Sequence, residues 1–124
     1  MDNRQTHRLA ELVAAADIAI ASAAAEPTEP AAQRPQRAFE TSYRVIERER
    51  YLPRNVTEMA STVRSTLLEA RSCQVLAEIE FIRGRPITPD ARACWAAALE
   101  EAKGAAKELR NAVRKDSRRD ALPK

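Results

Sequence analysis

Five basic residues recur every three or four positions along the last helix that this sequence can form. They are Lys103, Lys107, Arg110, Arg114 and Arg118. Because an α-helix turns about 100° per residue, these positions share roughly a quarter of the helix circumference. A row of positive charge can bind phosphates or an acidic protein surface, since such contacts are electrostatic and depend on salt. This row, the basic stripe, is the candidate binding surface.

Three interpretations of the basic stripe stay open at the level of the sequence. The first is a solvated helix face, and the helix dipole alone favours cations near the C-terminus, at Arg114 and Arg118. The second is contact with an acidic protein partner. The third is nucleic-acid binding, although no aromatic residue interleaves with the stripe for base stacking and Glu108 and Asp116 lie close by. The dipole does not explain a stripe that begins at Lys103.

Other residue types that carry chemistry are few and dispersed. The single histidine, His7, lies near a terminus, and Cys73 and Cys94 form no CxxC pair and have no histidine nearby. This spacing excludes an ordinary zinc site, and we expect two small buried thiols without a disulfide. No glycine-rich phosphate loop and no nucleophile motif occurs. The sequence therefore predicts a protein with no catalytic residues, no metal and no cofactor.

The composition indicates an all-α fold in a single domain. The chain has 124 residues and two glycines, only 4% of its residues are aromatic, and much of its 44% apolar content is alanine. This composition favours helices that pack closely over small side chains. The net positive charge comes from the C-terminal segment. Residues 103–124 carry 8 basic and 3 acidic residues, whereas the first 102 residues carry 13 basic and 15 acidic residues.

An apolar stretch runs from Leu9 to Ala25 and resembles a signal peptide in its small residues and its upstream arginines. Glu11 and Asp17 interrupt it, which a secretory apolar core tolerates poorly. The stretch is also too short and too charged to span a bilayer. We therefore expect a cytoplasmic protein, in which unpaired thiols are also the rule.

Apolar spacing predicts four helices in the chain. Their expected ranges are 6–25, 36–52, 55–83 and 89–118, with Asn55 or Thr57 as the cap of the third. Prolines between residues 26 and 35 predict an extended linker. A short polar tail is expected at 119–124.

The third helix carries two apolar stripes, so we expect it to be central. The second stripe lies in its C-terminal half and contains Leu68, Val75, Ile79 and Ile82. A helix that is apolar over such a wide arc normally packs against more than one neighbour.

Charged residues separate these two stripes. Arg64, Arg71 and Glu78 repeat every seven residues. We interpret them as a charged seam at the surface whose long side chains reach outward into solvent. The alternative interpretation is a partner-binding strip bordered by apolar residues.

The clearest boundary lies between the third and fourth helices. Gly84 can end one helix in the left-handed conformation, and Thr88, Pro89 and Asp90 can begin the next as N-cap, first-turn proline and first-turn acid. The two helices then form a long antiparallel αα-hairpin. Its seam pairs apolar residues throughout: Phe81–Trp95, Ala77–Leu99, Ala70–Ala106, Leu67–Leu109 and Val63–Val113. Gln74 alone interrupts the seam, and a buried amide needs hydrogen-bond partners.

The predicted protein is thus a cytoplasmic four-helix bundle built on this hairpin. We expect a non-enzymatic binding or regulatory accessory protein, of a bacterial or mobile-element kind, that acts through a helix surface. Its partner is expected to be a protein, with an acidic surface or a second copy of the chain as candidates. The alternative function is nucleic-acid binding through the basic stripe.

Overall fold

A computed structural model describes residues 3–26, 33–48 and 52–121, and these ranges contain four helices and no strand. The helices are α1 (Asn3–Ala23), α2 (Gln33–Arg48), α3 (Arg54–Ile82) and α4 (Pro89–Ala121). The prediction of a small all-α bundle built on an antiparallel hairpin is confirmed. α3 and α4 share the most extensive helix contact, and α1 packs against all three other helices.

The helix boundaries differ from the predicted ones by a few residues. α2 begins at Gln33, inside the predicted linker, so Pro35 lies in its first turn. A proline is tolerated there because the first N–H groups of a helix have no intrahelical acceptor. Residues 27–32 of the predicted linker lie outside the described residues. α4 continues to Ala121, so the predicted polar tail is helical as far as the structure describes it.

The predicted side-chain cap of α3 is wrong. The cap position is Pro53, in an extended conformation with φ −53° and ψ 147°, and no side chain caps the helix. Thr57 instead donates from Oγ1 to the backbone oxygen of Pro53, at 3.2 Å. With Pro53 as the cap residue, the helix begins at Arg54. Both predicted cap residues therefore lie inside the helix.

The connection between α3 and α4 follows the predicted chemistry. Gly84 has a φ of +71°, its N–H donates to the oxygen of Phe81, and the N–H of Arg85 donates to the oxygen of Glu80. This pair of bonds is a Schellman motif, which satisfies carbonyl groups at the end of α3. Thr88 then caps α4, because its Oγ1 accepts the N–H of Ala91 at 3.1 Å.

Alanine dominates the core, as the composition indicates. Among the described residues, twelve of the twenty-two buried apolar side chains are alanine. The largest fully buried side chains include Leu9, Leu12, Ile46, Leu67 and Leu109. Burial agrees with the predicted hairpin seam except at Phe81, which is 44% exposed because it lies in the last turn of α3, beside the exposed connection to α4. Helices in such a core approach one another closely.

Two side chains of the hairpin hold the C-terminal end of α1. Gln74, which is fully buried, donates from Nε2 to the backbone oxygens of Ser22 at 2.6 Å and Ala25 at 3.0 Å. Trp95 donates from Nε1 to the backbone oxygen of Ala23 at 2.9 Å. These oxygens belong to the last turn of α1 and the residues after it, where carbonyl groups lack intrahelical donors. The hairpin therefore caps α1 in place of a local motif.

The two glycines offer a matched test of backbone conformation. An added Cβ meets no atom within 4 Å at either Gly84 or Gly104. We expect Gly84→Ala to lower the free energy of unfolding by about 1–2 kcal/mol. The added methyl group has space, so the cost comes from the left-handed backbone conformation alone. Gly104→Ala, inside α4, should raise it by about 0.5–1 kcal/mol. Urea unfolding followed by circular dichroism measures both changes in the free energy of unfolding. If the two changes have the same sign, the left-handed conformation assigned to Gly84 is contradicted.

The capping of α1 by Gln74 predicts a large loss of stability when the amide is removed. Gln74→Met conserves most of the side-chain volume but removes the side-chain donor from the carbonyl oxygens of Ser22 and Ala25, and Ser22 keeps only the N–H of Ala25 at 3.3 Å. We expect the free energy of unfolding to fall by about 2–4 kcal/mol, since each unsatisfied buried group costs about 1–3 kcal/mol. The control is Asn111→Met, which replaces an exposed amide on α4. A loss no larger than that of the control would show that Gln74 is not an anchor.

Candidate functional site

The basic stripe lies along the part of α4 that faces away from the α3 seam. Lys103, Lys107 and Arg114 are exposed, and Arg110 is half-buried. Arg118 belongs to α4, but its side chain lies outside the described residues. Four of the five predicted residues therefore form an accessible row.

Two residues of the stripe have acidic partners. Arg110 donates from Nη2 to both carboxylate oxygens of Asp17, at 2.9 and 3.2 Å, which links α4 to α1. Lys103 donates from Nζ to Glu100 at 3.3 Å, one turn earlier on the same helix. Neither Lys107 nor Arg114 forms an ion pair with any described residue. Only part of the stripe therefore offers uncompensated charge.

α1 and α4 enclose a shallow cleft beside the stripe. Its volume is about 370 Å³. The lining residues are Asp17, Ile20, Lys103, Ala106, Lys107 and Arg110. Ile20 and Ala106 are buried and form the apolar lining, while the charged residues are more accessible. The sequence pattern identified the three cations but not Asp17 or Ile20, because their position depends on how α1 crosses α4.

The second accessible surface is apolar and lies on α3. It contains Leu68, Val75, Leu76, Ile79 and Ile82, named the α3 face below. Leu76 is 64% exposed and Ile82 is 75% exposed, and Val75 is the only one of the five below 36%. α3 contacts more than one neighbouring helix, as predicted, because α4, α1 and α2 all pack against it. Its predicted second stripe does not supply these contacts, since Leu68, Ile79 and Ile82 are exposed. The opposite side of α3, with Ala70, Gln74 and Ala77, is the buried one.

Charged residues border the α3 face, but they do not reach outward as predicted. The side chains of Arg71 and Glu78 are only 13% and 18% exposed, and Arg71 Nη1 lies 3.0 Å from Glu78 Oε1. The same nitrogen donates to Gln74 Oε1 at 2.6 Å. Because Gln74 uses its amide N–H groups on α1, its oxygen is turned toward Arg71. The pair therefore extends the network that anchors α1.

The remaining chemically active groups are one histidine and two cysteines. His7 is exposed and pairs with Glu11 at 3.0 Å. Cys73 and Cys94 are free thiols, and Cys94 is exposed, so the prediction of two buried thiols is wrong for Cys94. Cys94 lies in the second turn of α4, where Arg92 and Ala93 are also exposed. Burial raises the pKa of the Cys73 thiol, and the nearby Cys94 raises it further.

Neither a metal-binding cluster nor a membrane-spanning helix occurs among the described residues. No group of three or more His, Cys, Asp or Glu side chains there could hold a metal ion. None of the helices, within the same residues, combines the length and the apolar character needed to cross a membrane.

Comparisons with known proteins add no relative. No protein-family model matches the chain, and neither a curated protein nor a solved structure is detectably similar to it. The two accessible surfaces are therefore the features of the molecule that bear on its function.

The ion pairs of the basic stripe predict weak and only mildly salt-dependent binding to duplex DNA. With Lys107, Arg114 and the adjacent Lys115 as the available cations, about two to three phosphates are neutralised. The slope of log K against log salt should then be about −2 to −3. Fluorescence anisotropy with a labelled duplex measures this slope.

A steep slope would contradict that expectation. If the slope reaches about −5 or beyond, and Lys107→Glu/Arg114→Glu abolishes binding, nucleic acid is the ligand of the stripe. The matched control is Arg4→Glu/Arg8→Glu, the same change of charge at two exposed positions of α1.

Proposed function

We propose that this chain is a non-enzymatic binding protein with an accessory or regulatory role, and that it acts through the α3 face. The observation that carries the proposal is the exposure of several large apolar side chains in one row on one helix. Contiguous exposed apolar surface on a folded protein is typical of an interaction site. Complete burial of one such side chain contributes about 1.5–3 kcal/mol.

The scaffold beneath the α3 face supports this proposal. α3 packs along α4 on its opposite side, and the buried Gln74 ties it to α1. The face is thus presented by a helix that is already ordered, so binding does not have to order it. Preorganisation of this kind improves affinity because less conformational entropy is lost on association.

The polar surroundings of the face also fit an interface. Glu69 and Arg83 are exposed beside the apolar row, and Arg85 follows in the turn. An apolar centre with a charged rim is the usual composition of a protein–protein contact. The rim then contributes orientation and specificity more than affinity.

The cleft between α1 and α4 does not favour an enzyme. Its titratable groups are three cations and one carboxylate, and that carboxylate is paired with Arg110. Such a set suits the binding of an anion better than acid–base catalysis, which needs an available proton acceptor. We therefore assign the basic stripe a secondary role as a contact for an acidic partner. Nucleic-acid binding is the alternative function, and the salt slope above tests it.

The proposal is tested by comparing two charge insertions of the same kind. Leu76→Glu places a charge on the α3 face, whereas Ile18→Glu places one on α1 at a residue that is 50% exposed. We expect Leu76→Glu to abolish association, both of the purified chain with itself and with proteins of its host, while Ile18→Glu retains it. Size-exclusion chromatography with light scattering and affinity capture are the readouts, and circular dichroism verifies folding.

Two results would contradict the proposed role of the α3 face. A purified chain that is monomeric at every concentration and captures nothing would sink the proposal. So would association that both variants retain equally, since the α3 face would then make no contribution.

A further inference from the structure

We infer that the α3 face binds a second copy of this chain, with the two α3 helices antiparallel across a two-fold axis near Leu76. This inference rests on the proposed function, because it names the partner of the same surface. It is carried by the spacing of the face and by the charges beside it.

The spacing of the α3 face is that of a helix–helix seam. Leu68, Ser72, Val75, Ile79 and Ile82 follow one another at alternating intervals of four and three residues. This is the pattern of the core positions in a coiled coil. The seam spans about 21 Å of helix at 1.5 Å per residue. α4 covers the other side of α3, so the seam is available to a partner.

An antiparallel pair brings the apolar residues of the seam together. With the axis near Leu76, Val75 lies opposite the partner's Ile79, and Ile79 lies opposite the partner's Val75. Ser72 lies opposite the partner's Ile82 in the same way. Such an interface is isologous, which means that each contact occurs twice.

The charges beside the seam favour the antiparallel arrangement and a second copy. Glu69 and Arg83 are exposed, and each lies about two helical turns from Leu76, on opposite sides of it along the helix. In the antiparallel pair, Glu69 faces the partner's Arg83, and Arg83 faces the partner's Glu69. A parallel pair instead sets Arg83 near the partner's Glu78, whose carboxylate is already paired with Arg71 in its own chain. The face is thus electrostatically complementary to itself in the antiparallel orientation.

The other edge of the seam is compatible with this arrangement. Glu78 lies there and approaches its own copy across the axis. Arg71, 3.0 Å away, compensates its charge within each chain. The repulsion between the two glutamates is therefore reduced, and both remain mostly covered.

Charge reversal tests the orientation directly. We expect Glu69→Arg and Arg83→Glu each to weaken dimerisation about tenfold, whereas the double variant restores it to within about threefold. Sedimentation equilibrium over micromolar concentrations measures the dissociation constants. Both residues are exposed, so folding should be unaffected, and circular dichroism checks this. A double variant weaker than either single variant would overturn the antiparallel pairing.

Chemical cross-linking tests the position of the axis. In a chain that carries Cys73→Ser and Cys94→Ser, Leu76→Cys should be linked into dimers by a short bis-maleimide, which forms one thioether with each thiol. Leu68→Cys should not be linked, because the two copies lie about 24 Å apart along the helix axes. Linkage at both positions would indicate a parallel pair and overturn the inference.

The possible results separate this inference from the proposed function. A monomeric chain that still captures another protein, but not after Leu76→Glu, overturns the second-copy inference and retains the α3 face as a binding site. A monomeric chain without any such capture overturns both. A dimer that tolerates Leu76→Glu places the contact elsewhere and also overturns both.

Discussion

The bundle depends on how the C-terminal end of α1 is held. A helix end leaves carbonyl oxygens without donors, and burying them unsatisfied is costly. Here Gln74 and Trp95 supply the donors from α3 and α4, so one set of hydrogen bonds both ends α1 and fixes it on the hairpin. Arg71 then donates to the side-chain oxygen of Gln74 and keeps the amide oriented, while Glu78 accepts from the same Arg71 nitrogen. The contacts of Gln74 and Trp95 with α1 join residues that are about 50 to 70 positions apart in the sequence, whereas those of Arg71 lie within α3.

The two accessible surfaces differ in how many of their side chains already take part in contacts within the fold. The basic stripe contributes Arg110 to the contact between α1 and α4, and Lys103 to an ion pair within α4. Exposed pairs of this kind add little to stability, but they reduce the charge that a ligand can meet. The α3 face, in contrast, is placed by the fold and contributes little to the core. Its apolar groups therefore remain available for association.

The hairpin and its connection are predictable from the sequence, because Gly84 and Thr88 act through backbone chemistry that involves only neighbouring residues. The seam residues are also predictable from their period, except at Phe81, beside the connection to α4. Contacts between distant segments are not predictable in this way. The Asp17–Arg110 pair joins residues of α1 and α4, and its existence depends on the angle at which these helices cross. Both stripes of α3 are visible in the sequence, but only tertiary packing determines that one is buried and the other exposed.

The abundance of buried alanine has a consequence for how this sequence can change. Substitutions in a core of leucines can remove methylene groups and leave cavities. An alanine side chain is a single methyl group, so a substitution can remove very little volume. A core of alanines is instead sensitive to larger side chains. A larger residue at Ala19, Ala102 or Ala106 would force the helix axes apart, and overpacking typically costs about 1–3 kcal/mol. Substitutions at these positions are thus confined to residues of the smallest size. The sequence is consequently freest to diverge on the solvent side of its helices, where new surfaces can arise without disturbing the interior.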